Sequence, residues 1–174
     1  MLCVLGWLNL SVCLSFVLCV IVHELGHYVS LRLCSVSVVR TKIGLHGAVM
    51  ETAGMSEWQE LICAAAGPVA SAILGLVLLR KRTAAALISF GLAAVNLLPL
   101  YPLDGGRILR SILFLCCGAE RAERIVHWTT IAVCLVLMLL ACWGTIVLQA
   151  GVWPIFAALV LLWRAGDAEK QLLF

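Results

Sequence analysis

The length of its apolar runs constrains this chain most, because about 20 apolar residues suffice for a helix to cross a bilayer. Leu2–Val22 contains no charged residue. The chain is 64% hydrophobic and 12% charged, with a mean hydropathy of +1.12, which is far more apolar than a soluble domain of this size. The sequence predicts an all-α polytopic membrane protein with about five transmembrane helices. The predicted spans are Leu2–Leu31, Leu61–Leu79, Thr83–Leu98, Ile125–Leu148 and Gly151–Trp163.

The segment between the first two runs departs from this helical pattern. Residues 35–53, SVSVVRTKIGLHGAVMETA, are rich in Val and Thr, alternate in part, and carry glycines at 44 and 47. Such a pattern favours short β-strands, although a plain cytoplasmic connector explains the sequence about as well. We expect a small membrane-associated β element over residues 35–53.

The distribution of basic residues predicts how the chain is oriented in a cell membrane. If the first helix enters from outside, nine of the twelve Lys and Arg residues are cytoplasmic, and only Arg80, Lys81 and Arg82 are external. The positive-inside rule therefore favours an external N-terminus and a cytoplasmic C-terminus. The net charge of +3 is dispersed along the chain, so we expect no nucleic-acid partner. The nine cytoplasmic residues are Arg32, Arg40, Lys42, Arg107, Arg110, Arg121, Arg124, Arg164 and Lys170.

The first apolar run ends in a motif with metal chemistry, H-E-L-G-H at residues 23 to 27. Residues four apart lie on the same face of a helix, so His23 and His27 can present their imidazoles to one metal ion. Glu24 lies about 100° around the helix from His23, where it can accept a proton from water rather than ligate the metal. This is the H-E-x-x-H pattern of zinc hydrolases. The alternative is two interfacial histidines beside a snorkelling glutamate, but a carboxylate in an apolar segment is costly without a function.

A third ligand is expected from the stretch NLLPLYPLDGGRIL, residues 96 to 109. A catalytic zinc usually has three protein ligands, and Asp104 is the acidic residue here that lies outside the interfacial clusters. Pro99 and Pro102 break the preceding helix, and the glycines after Asp104 allow tight turning. Taken alone, Asp104 reads as a helix cap in an ordinary turn. Beside H-E-x-x-H, we favour a His-His-Asp site, with Asn96 placed to hydrogen-bond substrate or to stabilise the oxyanion.

Three motifs in this order resemble the site-2 protease family of intramembrane zinc metalloproteases. The motifs are HELGH within a membrane helix, AAAGPVAS at 64 to 71, and NLLPLYPLDGGRIL. The resemblance is greatest to the stage IV sporulation branch, which processes a membrane-tethered pro-sigma factor. It implies that His23, His27 and Asp104 bind Zn²⁺, that Glu24 is the general base, and that Asn96 helps to position substrate.

The family pattern also carries expectations about neighbouring residues and domains. Gly67 and Pro68 match a Gly-Pro turn beside the site, and Ser71 stands where many relatives have asparagine. Residues 1–174 contain no segment that resembles a PDZ domain or a nucleotide-binding CBS module. We therefore expect a single transmembrane metalloprotease domain over that range.

The predicted function is hydrolysis of a peptide bond in or near the transmembrane segment of a membrane-tethered protein, such as a pro-sigma or anti-sigma factor. The expected partners are a substrate with a single transmembrane segment or a membrane-associated pro-sequence, membrane regulators, and the lipid bilayer. Two other classes remain open. A metal-binding transporter normally has polar groups along several spans, which this chain lacks. An inactive protease-like adaptor is disfavoured by the intact His23, Glu24, His27 and Asp104.

Overall fold

A computed structural model describes residues 10–36, 38–44, 47–52, 54–147, 156, 158–160 and 162–163 of the chain. Within these residues, the helices and strands follow one another in the order α1, β1, β2, α2, α3, α4, α5. The chain divides into two compact units, Met1–Leu97 and Leu98–Phe174. The elements are α1 Leu10–Leu33, β1 Val38–Gly44, β2 Gly47–Thr52, α2 Glu57–Leu78, α3 Thr83–Asn96, α4 Asp104–Cys117 and α5 Ala119–Val147.

Three of the described helices are long and apolar enough to cross a membrane. They comprise Ser11–Leu33, Glu57–Leu78 and Ala119–Val147. Helix α3 has 14 residues and is short for a span of its own, since about 20 residues are needed. The predicted span Gly151–Trp163 lies largely outside the described residues. The helical membrane architecture is confirmed, whereas the number of five spanning helices stays a prediction.

Helices α1 and α2 run antiparallel in the first unit, because His23 contacts Ser71 while His27 contacts the Cys63 carbonyl. Helix α2 begins with a capping box in which Ser56 and Gln59 satisfy each other's backbone N–H groups. Gln59 also donates to the Cys34 carbonyl after α1, at 3.1 Å, which fixes the start of α2 near the end of α1. Many apolar side chains of α1 are exposed, as expected of a surface in contact with lipid. They include Leu14, Val17, Leu18, Ile21 and Leu25.

The segment between α1 and α2 forms a two-stranded antiparallel hairpin. Strand β1 pairs with β2 from Val38 opposite Thr52 to Gly44 opposite Gly47, with an irregularity between Val38 and Arg40. The association of this element with the membrane stays a prediction.

The boundaries of three predicted elements differ in the structure. Gly67 and Pro68 do not form a turn, because both lie within α2; a proline is tolerated inside a membrane helix where its neighbours satisfy the freed carbonyl. Helix α3 ends at Asn96 rather than Leu98, since Pro99 disfavours helical geometry at the residue before it. Helix α5 begins at Ala119, six residues before the predicted span, because the charged sequence that follows is a good helix former.

In the second unit, a short turn and helix α4 determine the position of Asp104. The irregular backbone is limited to residues 97–103, and Asp104 is the first residue of α4, so Gly105 and Gly106 lie within the helix. Gly106 instead makes room for the turn, because a Cβ at this position would overlap the backbone of Leu100 and Tyr101. Leu100 and Leu103 pack against Cys134 of α5.

Candidate metal centre

His23 and His27 direct the same ring nitrogen toward a common point. Their Nε2 atoms are 3.2 Å apart, and the two rings meet edge to face with an interplanar angle of 81°. Both residues belong to α1, one helical turn apart, so the helix itself sets this convergence. His23 is 5% exposed and His27 is half-buried. The pair therefore offers two nitrogen donors to one ion in a site largely shielded from solvent.

The opposite nitrogen of each imidazole is held by α2. His27 Nδ1 lies 2.7 Å from the Cys63 carbonyl oxygen. Since a carbonyl can only accept, Nδ1 of His27 donates its hydrogen, and Nε2 keeps its lone pair for a metal. His23 Nδ1 lies 3.0 Å from the Ser71 hydroxyl oxygen, which can accept a hydrogen in the same way. Such outer hydrogen bonds fix the orientation of metal-binding histidines.

Two glycines permit α1 and α2 to approach this closely. A Cβ on Gly26 would lie 2.7 Å from the Ala66 carbonyl oxygen and 2.8 Å from the Ala70 Cβ. A Cβ on Gly67 would overlap the His27 ring, lying 2.5 Å from Cε1 and 2.8 Å from Cδ2. The prediction that Gly26 allows a close backbone approach is in agreement with these distances. Gly67 has the more specific consequence, because its missing side chain is the space that the His27 ring occupies.

Asp104 supplies the third possible ligand. Asp104 is 7% exposed, and a guanidinium nitrogen of Arg107, on the next turn of α4, lies 3.9 Å from its carboxylate oxygen Oδ1. His23 and His27 belong to the first unit and Asp104 to the second, so Asp104 stays the predicted third ligand. A buried carboxylate is costly unless it is paired or coordinates a metal. Two imidazole nitrogens and one carboxylate oxygen form a donor set that suits zinc and leaves a coordination position open.

Glu24 and Asn96 are positioned differently from these three residues. Glu24 follows His23 on α1 and is half-buried, so its carboxylate is not part of the His-His-Asp group. Asn96 is the last residue of α3, and its side-chain Nδ2 donates to the Leu92 carbonyl at 2.9 Å. This bond leaves the acceptor oxygen of the Asn96 amide for other partners. Their roles as general base and substrate-positioning residue stay predictions.

No sequence motif assigns a role to the groups of α2 that hold the two histidines. Cys63 contributes a backbone carbonyl, which its side chain does not reveal. Ser71 was noted only as a departure from asparagine. Cys63, Gly67 and Ser71 are spaced four residues apart and so lie on one face of α2. That row of small residues facing H-E-x-x-H is the signal that could have identified them.

Comparisons with known proteins identify the family of this chain. The pattern of peptidase family M50 matches residues 11–82 and 81–140. A zinc metalloprotease of Methanocaldococcus jannaschii is 31% identical over 119 residues, covering 61% of this chain and 35% of that protein. Stage IV sporulation protein FB of Bacillus subtilis is 28% identical over 168 residues, covering 88% of this chain and 57% of that protein.

A solved structure extends the likeness from sequence to fold. The site-2 protease from Methanocaldococcus jannaschii superposes with a TM-score of 0.72 and 25% identity, covering 94% of this chain and 80% of that chain. The chain spans less than half the length of several relatives it matches, 45%, 35% and 44% for three of them. Because the M50 pattern covers most of α1 to α5, the chain belongs to peptidase family M50.

Proposed function

We propose that this chain is an intramembrane zinc metalloprotease that hydrolyses a peptide bond in or near the transmembrane segment of a membrane-tethered protein. The observation that carries the proposal is the convergence of the His23 and His27 Nε2 atoms, which lie 3.2 Å apart on one membrane-length helix. Glu24 follows the first ligand on the same apolar helix. A metal-binding group next to a carboxylate in a membrane helix is the set of residues that metal-assisted hydrolysis requires.

His23, His27 and Asp104 would hold the zinc ion. When bound, zinc supplies Lewis acidity to the reacting carbonyl and to the attacking water. The Cys63 carbonyl keeps the hydrogen of His27 on Nδ1, so that Nε2 faces the ion as a lone-pair donor. Glu24 accepts the proton that the water loses on attack. The same carboxyl group then gives this proton to the leaving amine as the C–N bond breaks.

The hairpin supplies a means of presenting the substrate. Peptide bonds in a transmembrane helix are protected by their own hydrogen bonds, so the substrate has to become extended before it is cut. Strands β1 and β2 pair only with each other among the described residues, and each strand of such a hairpin has one edge that its partner does not use. An extended peptide added to that edge would regain backbone hydrogen bonds. The Asn96 amide, at the end of α3, would orient the peptide by a further hydrogen bond.

The substrate class follows from the relatives and the membrane setting. The B. subtilis relative is named as a sporulation protein, which supports a membrane-tethered regulatory protein, such as a pro-sigma or anti-sigma factor, as substrate here. The substrate would have a single transmembrane segment or a membrane-associated pro-sequence, and membrane regulators would control its access. The distribution of Lys and Arg favours an external N-terminus and a cytoplasmic C-terminus in the cell membrane.

The proposal is tested by co-expressing the chain with a tagged single-span substrate and comparing wild type with Glu24→Gln. Glutamine cannot accept the proton from water, so cleavage should fall by about 10²- to 10⁴-fold or more. Zinc content should be unchanged, because Glu24 is not in the ligand group. Glu120→Gln, a change on an exposed residue of α5, is the matched control and should cleave normally.

The outcome distinguishes a protease from an inactive adaptor and from a metal-binding transporter. An adaptor would give the same substrate fate with wild type and Glu24→Gln, and a transporter would leave the substrate uncut in both. Cleavage by Glu24→Gln at the wild-type rate would contradict the proposed mechanism, whatever metal the protein contained.

A further inference from the structure

We propose that Ser71 is a positioning residue for the metal ligand His23, and that Ser89 supports Ser71 from the neighbouring helix. The inference rests on the proposed metal site. It concerns a side chain to which the family resemblance assigns no role. The three residues lie on α1, α2 and α3 of the same unit, and each is almost fully buried.

The contact between Ser71 and His23 sets which nitrogen of His23 faces the metal. Ser71 Oγ lies 3.0 Å from His23 Nδ1, on the side of the ring opposite the Nε2 atom that approaches His27. When the hydroxyl oxygen accepts the Nδ1 hydrogen, Nε2 is the nitrogen that carries the lone pair a metal requires. In that state Ser71 orients the His23 ring as the Cys63 carbonyl orients the His27 ring.

Ser71 is itself held in place by a second buried serine. Ser89 Oγ donates to the Ser71 carbonyl oxygen at 2.7 Å, across the interface between α2 and α3. Both serines are 0% exposed, so water cannot replace either bond. Ser71 thus uses its side chain toward α1 and its backbone toward α3. This arrangement ties three helices together at the residue that orients the ligand.

The two histidines consequently differ in how robustly they are held. His27 is held by a backbone carbonyl, which no substitution at Cys63 removes. His23 is held by a side-chain hydroxyl, which a single substitution deletes. Metal affinity should therefore be sensitive to the residue at position 71 in a way that it is not at position 63.

The test is the zinc dissociation constant of the purified full chain, measured by competition with a chelator. Ser71→Ala should weaken zinc binding by about 10- to 100-fold, the usual effect of removing an outer hydrogen bond to a ligand. Ser89→Ala should give a smaller loss of about threefold, as expected for one hydrogen bond between membrane helices. Ser71→Thr, which keeps the hydroxyl, should bind zinc nearly as tightly as wild type.

Ser111→Ala is the matched control. Ser111 is also a fully buried helical serine, but its Oγ has no hydrogen-bond partner among the described residues. The loss of a buried hydroxyl is therefore reproduced without the loss of a described hydrogen bond. A second readout is the visible absorption of the Co²⁺-substituted protein, whose bands report ligand geometry. These bands should shift in Ser71→Ala and stay unchanged in Ser111→Ala.

Two results would overturn the positioning role. One is zinc binding by Ser71→Ala that equals that of Ser111→Ala. The other is Ser71→Thr binding as weakly as Ser71→Ala, because the hydroxyl would then not be the cause. No substrate is present in this assay, so weakened zinc binding in Ser71→Ala supports the proposal even where the cleavage assay fails.

Discussion

Gly67→Ala should disrupt the metal site through a single methyl group. The added Cβ would lie 2.5 Å from Cε1 and 2.8 Å from Cδ2 of His27, whereas carbon atoms in favourable contact are about 3.5–4.0 Å apart. The imidazole would have to move by about 1 Å to restore that separation. Because the His27 ring is held by the Cys63 carbonyl at 2.7 Å, the same movement also strains or breaks this hydrogen bond.

The expected effect on zinc binding follows from this displacement. Ligand distances in metal sites are kept within about 0.2 Å, so a displacement of about 1 Å removes His27 as an effective ligand. Misorienting a ligand typically costs at least about 10- to 100-fold in metal affinity. Helix α2 itself should not suffer, since alanine is intrinsically more favourable than glycine in a helix by about 1 kcal/mol.

The assay is zinc affinity of the purified protein, with the thermal unfolding midpoint measured in parallel. Gly91→Ala is the matched control, because a Cβ at Gly91 in α3 would have no described atom within 4 Å apart from its chain neighbours and the nearby backbone of its own helix. We expect Gly91→Ala to bind zinc as wild type does. The steric argument would be refuted by a folded Gly67→Ala protein that binds zinc with wild-type affinity.

Two further predictions concern the third ligand and the membrane orientation. Asp104→Asn should lower zinc occupancy and cleavage together, because an amide oxygen is a weaker ligand than a carboxylate; metal analysis showing full zinc occupancy would exclude Asp104 as a ligand. Reporter fusions at Lys81 and Arg124 should give opposite signals, with Lys81 external and Arg124 cytoplasmic. Matching signals from the two fusions would contradict the predicted orientation.

The sequence by itself determined the features that depend only on the spacing of residues along one helix. Apolar runs predicted the long helices α1, α2 and α5, because hydropathy over about 20 residues decides membrane insertion. The four-residue separation of His23 and His27 predicted their shared face, because helical geometry places such residues together wherever the helix lies. Pro99 and Pro102 predicted the break after α3, since proline disrupts helical bonding by its own covalent structure.

Other features were misassigned because a residue's local tendency is ambiguous until its neighbours are known. The pair Gly67 and Pro68 is common in turns, yet both residues continue α2. In that helix, Gly67 provides the space for the His27 ring. The glycines after Asp104 also suggested a turn, but Gly106 lies in α4 and allows the Leu100–Tyr101 backbone to approach. In each case a contact with a distant or preceding segment decided the conformation.

Only the tertiary structure identified what holds the two histidines. Ser71 is 48 residues from His23 in sequence, and Cys63 is 36 residues from His27. The Cys63 group is a backbone carbonyl, which every residue carries, so no side-chain pattern could reveal it. Ser71 is one of several serines in the apolar helices. Only the antiparallel register of α1 and α2 places its hydroxyl, rather than another, beside His23. Spacing along one helix therefore determined the ligand pair, whereas packing between helices determined which nitrogen of each ligand faces the metal.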